Sequence, residues 1–112
     1  MPRLSRTVLP GHPHHVAQRG VRSMDIFADD HDRKVYLELL RNSCDKHGVE
    51  VITWCLMTNH VHFIVVPDRE DSLARSFGEA HKAYTRMYNF RQGVRGYLFQ
   101  GRFGSYAMDE TH

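Results

Sequence analysis

The chain has 112 residues, room for one compact domain with a modest core and not for two. Hydrophobic content of 41% and charged content of 25% are ordinary for a soluble globular protein, and no apolar run approaches membrane-spanning length. The net charge of +2 says little about partners, but Arg3, Arg6, Arg19 and Arg22 gather near the start and Arg86, Arg91, Arg95 and Arg102 near the end, a placement that points toward phosphate contacts.

Residues 1–12 hold Pro2, Pro10 and Gly11 and little periodicity, so an extended arm is expected there. The start lacks the apolar stretch of a secretory signal, and a cytoplasmic protein is expected. His14 to Gln18 lead into Arg19-Gly20 as a first strand. His12, His14 and His15 invite a metal reading, but their spacing beside Pro13 suits ligands poorly. A connection over 20–31 carries the apolar anchor Ile26-Phe27 and ends in Asp29, Asp30 and His31, any of which can cap the helix that follows.

That helix is predicted over Asp32–His47, with Tyr36, Leu40 and Cys44 on one stripe and Gly48 as its stop. A second strand, Val49–Met57, is apolar on both faces from Val51 onward, the mark of a central strand. Thr58-Asn59 breaks it, and a third strand runs from His60 to Val66 as its antiparallel partner. Asp68–Asp71 forms a polar loop in which Asp71 or Ser72 can cap a second helix, Ser72–Phe90. Leu73, Phe77, Ala80, Tyr84 and Met87 form its apolar stripe, which makes Tyr84 a core residue. A fourth strand is predicted over Tyr97–Met108, with Gly101 and Gly104 marking a bulge or a close backbone approach. The order βαββαβ predicts an α+β domain of ferredoxin-like form. It would have a four-stranded antiparallel sheet with both helices on one face.

Cys44 and Cys55 both have apolar neighbours and read as buried free thiols. Two cysteines cannot build a zinc ribbon or finger.

The third strand carries the chemistry. Strand alternation sends Val61, Phe63 and Val65 toward the core and His60 and His62 together toward the open face. Two neighbouring imidazoles can hold one divalent ion. A histidine-triad nucleotide hydrolase is excluded, because Ile64 stands where a third histidine is needed. A phosphoesterase built on two His-x-Thr/Ser copies is excluded, because no such copy appears. A strand-nicking enzyme fits: two histidines and one further polar ligand on Mg²⁺ or Mn²⁺, with a tyrosine nucleophile. The competing reading is a non-catalytic ferredoxin-like nucleic-acid-binding module, which would display aromatic residues on the open face where this chain has histidines.

The stretch Trp54–Val65, with Asn59-His60-Val61-His62 at its centre, closely resembles the HUH motif of the small single-tyrosine transposases, in particular the REP-associated branch. His14–Gly20 with Ile26-Phe27, Asp32–Leu37, and Gly96–Phe103 agree in order and spacing, so the likeness spans nearly the whole chain. It implies one domain over 1–112 that binds single-stranded or hairpin DNA, cleaves and rejoins it, and works as a monomer or homodimer. It implies that His60 and His62 ligate Mg²⁺ or Mn²⁺ and that Arg19 and Arg102 contact DNA. It also implies a nucleophilic tyrosine on a helix after the Gln100–Phe103 segment, with an amide ligand four residues further on. That helix is expected past His112, so this chain alone would lack the nucleophile. Among the tyrosines present, Tyr88 is the fallback.

Overall fold

The computed structural model describes residues 8–108. The predicted arm therefore lies mostly outside the described residues, and its described end is a turn rather than an extended segment. Gly11 N–H donates to Pro67 O at 2.7 Å, and His12 N–H to Leu9 O at 3.1 Å.

Strand β1 runs over His14–Arg19, where a first strand is predicted. Ile26 and Phe27 in the following connection are both buried, and Ile26 N–H donates to Thr58 O at 2.8 Å. Helix α1 spans Asp30–His47. The Asp29 carboxylate accepts from the Asp32 N–H at 3.0 Å, satisfying a donor that the first turn leaves open. Gly48 closes the helix in the left-handed conformation. Strands β2 (Val49–Leu56) and β3 (His60–Pro67) form the hairpin, and helix α2 spans Ser72–Gln92. Asp71 holds the N-cap position of α2 without a side-chain cap bond and pairs with Arg75 at 2.8 Å instead.

The sheet order is β2-β3-β1-β4, with every pair antiparallel. The two helices pack on the face that carries Val16, Val61, Phe63 and Val65, and Tyr36, Leu40, Leu73, Phe77, Ala80 and Tyr84 complete this core. The domain is α+β and ferredoxin-like, as predicted.

Two strands depart from the prediction. β2 is an edge strand, not a central one. Its register slips between Val51 and Thr53, and Ile52 and Trp54 stay half-exposed although both are apolar. Cys55 on this strand is accordingly exposed, not buried, whereas Cys44 is buried as expected. The fourth strand is short: β4 covers only Gly104–Ala107. Gly101 adopts φ +60°, and the residues before it contribute one isolated bridge, Phe99 to Gly20.

Gly20, just after β1, has no room for a side chain. Its N–H donates to Asn59 O at 2.9 Å, and an added Cβ would meet Met24 O at 2.2 Å and Ile26 Cγ2 at 2.9 Å. Gly20→Ala should therefore cost about 1–3 kcal/mol as overpacking against backbone, read as a lower urea midpoint with unchanged slope.

Candidate active site

His60 and His62 emerge side by side from β3, with ring centroids 4.9 Å apart and planes at 89°. Both are half-buried, while Val61, Phe63 and Val65 between and beyond them are buried. Asn59 Oδ1 lies 2.8 Å from His60 Nδ1. An amide oxygen only accepts, so Nδ1 carries the hydrogen and Nε2 keeps its lone pair. His62 Nδ1 lies 3.2 Å from His15 Nε2, a residue of β1. Each ring thus engages the protein through Nδ1. Partial burial, then His60, then His15 lower the pKa of His62, which favours its uncharged form.

The histidines open onto a cleft of about 390 Å³ that is also lined by Arg19, Arg102, Gln18 and Gln100. Gln18 locks its floor: its Oε1 accepts from the Arg19 N–H at 3.0 Å, and its Nε2 donates to Gly101 O at 3.1 Å. The Gln100 N–H donates to Arg19 O at 2.9 Å. These bonds tie β1 to the segment before β4 and set two guanidinium groups and two imidazoles around one space. Guanidinium groups and imidazoles around one space suit a phosphodiester. Among the described residues no group of three or more His, Cys, Asp or Glu is arranged to hold a metal ion, so the two imidazoles are one side of a coordination shell at most.

The other sequence candidates fall elsewhere. His14 is a satisfied core residue: Nε2 accepts from the Leu9 N–H at 3.1 Å, and Nδ1 donates to His12 O at 2.8 Å. Tyr88 is not among the residues lining the cleft; its hydroxyl is directed at Asp25 O, 3.5 Å away, and its pKa is raised by burial and then by Asp32 and Asp25. A larger hollow of about 760 Å³ lies on the helix side, where α1 leaves Trp54 and Val51 partly uncovered. It is mainly apolar and lies on the side of the sheet away from the histidines, so the smaller cleft is the site.

A family profile described as Transposase IS200 like matches residues 11–112. The chain belongs to the IS200-like transposase family. None of the curated proteins matches it. Among solved structures, a REP-associated tyrosine transposase bound to a REP hairpin superposes with a TM-score of 0.74 at 16% identity, covering 98% of this chain and 64% of that one. A candidate transposase from Deinococcus radiodurans R1 superposes with a TM-score of 0.69 at 13% identity, covering 97% of this chain and 88% of that one. At such identities the likeness establishes the fold. This chain spans less than two thirds of the REP-associated structure.

In this member of the IS200-like family the fold brings His60, His62, Arg19 and Arg102 to one cleft. Two neighbours take places that the sequence reading does not give them. His15 shares a face with Arg19 by alternation, but only the β1–β3 register puts it beside His62. Gln100 sits in a segment predicted as strand, and its place at the cleft depends on the Gln18 and Arg19 bonds.

Proposed function

We propose that the chain is a single HUH domain of a cytoplasmic transposase that binds single-stranded or hairpin DNA and takes part in cleaving and rejoining it. The observation that carries this reading is the cleft itself: two imidazoles bonded through Nδ1, with His60 Nε2 left as a lone pair, between Arg19 and Arg102, in a chain of the IS200-like family. The solved relative bound to a REP hairpin supports DNA as the partner.

His60 and His62 would hold Mg²⁺ or Mn²⁺ through Nε2, and such an ion supplies Lewis-acid polarisation of a phosphate oxygen. Two imidazole nitrogens in an open cleft leave the remaining positions to oxygen ligands, which both ions accept. Arg19 and Arg102 grip phosphate oxygens and hold the scissile group against the imidazoles. Asn59 keeps His60 in the tautomer that can donate its lone pair. The attacking group is a tyrosine oxygen, which bonds to phosphorus as the 3′ oxygen leaves and takes up a proton; rejoining is the reverse. No tyrosine lines the cleft among the described residues, which supports a nucleophile supplied from a following helix rather than by Tyr88.

The test is binding of a fluorescent hairpin with a single-stranded flank, compared with a blunt duplex of the same sequence. Preference for the hairpin is expected, and equal affinity would count against the proposal. Arg102→Ala should weaken binding across sequences and flatten the dependence of log affinity on log salt by about 0.7, the share of one phosphate contact on a single strand.

A further inference from the structure

Four rings cross the open face in a row. Tyr106 of β4 lies 5.1 Å from His15 of β1, His15 lies 5.2 Å from His62 of β3, and His62 lies 4.9 Å from His60. Only His60 and His62 have a place in the proposed metal site. His15 is half-buried, with Tyr106 on one flank and His62 on the other. Its Nε2 lies 3.2 Å from His62 Nδ1, so one of the two nitrogens carries the hydrogen. If His15 donates, the hydrogen of His62 sits on Nε2 and blocks the lone pair that a metal needs. If His62 donates, Nε2 is free. His60 is already in that state, because Asn59 Oδ1 can only accept.

We infer that His15 is a positioning residue for the metal site: it accepts the Nδ1 hydrogen of His62, fixes that ring's tautomer and rotation, and leaves Nε2 to the ion. The arrangement is the usual one for a metal-binding histidine, whose second nitrogen donates to a protein acceptor; here the acceptor is another imidazole. It assigns His15 the Nδ1–H form, with its Nε2 lone pair toward His62. Tyr106 packs on the other side of the His15 ring and limits its rotation.

The inference rests on the metal reading of His60 and His62, and the experiment keeps the two apart. Mn²⁺ titration followed by electron paramagnetic resonance is run on the parent chain, His15→Leu, His15→Gln and the pair His60→Ala with His62→Ala. Affinity should fall about 10-fold or more in His15→Leu, and His15→Gln, which returns an acceptor oxygen, should lie within about threefold of the parent. If the parent binds and the double variant does not, but His15→Leu equals the parent, the role of His15 is overturned and the metal site stands. If the parent binds no Mn²⁺, the metal site is overturned. The tautomer is then judged alone, from long-range ¹H–¹⁵N spectra of His62 in the metal-free parent. The Nδ1–H form is expected there, with a shift toward the Nε2–H form in His15→Leu. A His62 ring that is Nε2–H in the parent overturns the inference directly and needs no variant to fold.

Discussion

Replacing His60 and His62 together with alanine should remove Mn²⁺ binding, lowering affinity by more than about 100-fold, because the change deletes the donors themselves rather than their supports. The fold should survive. Both rings stand on the open face, and the residues of β3 that face the helices, Val61, Phe63 and Val65, are untouched. Stability should change by no more than about 0.5 kcal/mol, as for other substitutions away from a core. Hairpin binding should persist, since Arg19 and Arg102 do not depend on the imidazoles for their place. Arg19 is held by its own backbone, which accepts from Gln100 and donates to Gln18. Calorimetric Mn²⁺ titration and hairpin binding on one preparation decide the matter. Equal Mn²⁺ affinity in parent and variant would remove the proposed metal site, and loss of DNA binding would mean that the histidines contact DNA directly.

The part of this site that one strand carries could be read from the sequence, because alternation is a local rule. His60 and His62 are two residues apart, so they share a face whatever lies next to them. The two helices were equally legible, since the stripes Tyr36-Leu40-Cys44 and Leu73-Phe77-Ala80-Tyr84 are set by helical period and all these residues are buried. What failed depends on neighbours. β2 looked central because both its faces are apolar, but hydrophobicity does not record strand order. Trp54 faces the helix side and is still 51% exposed, because α1 does not reach over the sheet edge. The alternation of Leu98, Gln100 and Arg102 against Tyr97, Phe99 and Phe103 predicts a fourth strand longer than the one that forms. Leu98 and Phe99 are buried, yet Gly101 turns the chain, Phe99 makes one isolated bridge and only Gly104–Ala107 forms a strand. His15 could not be found by spacing at all. Its partner is 47 positions away, and the contact exists only through the β1–β3 register.

Acid should weaken the fold from pH 6.5 downward, by about 1.4 kcal/mol per pH unit, through a histidine outside the cleft. His81 on α2 is buried, and burial lowers its pKa to about 3. Its Nε2 accepts from the Tyr36 hydroxyl at 2.7 Å, and its ring stacks on Phe99 at 4.2 Å. Burial raises the pKa of Tyr36, so the phenol remains a donor at every relevant pH. Above pH 6.5 His81 is neutral in both the folded and unfolded states, and its contribution is complete. Between pH 6.5 and about 3 the unfolded chain takes up a proton that the folded chain refuses, so stability drains as pH falls. By pH 4 the accumulated loss is on the order of 3 kcal/mol, a large share of what a domain of this size possesses. Tyr36→Phe with His81→Phe removes both polar atoms while keeping rings in place. The double variant should bind about one proton fewer on unfolding between pH 6 and 4, so urea unfolding free energies should fall less steeply with acid than in the parent. Tyr36→Phe alone should do the opposite of rescue. It leaves His81 Nε2 buried without its donor and should cost about 1–3 kcal/mol at neutral pH. Parallel pH profiles for the parent and double variant would show that His81 is protonated in the folded chain, in conflict with its burial between Tyr36 and Phe99. Phe99, the stacking partner of His81, is followed directly by Gln100, which lines the cleft.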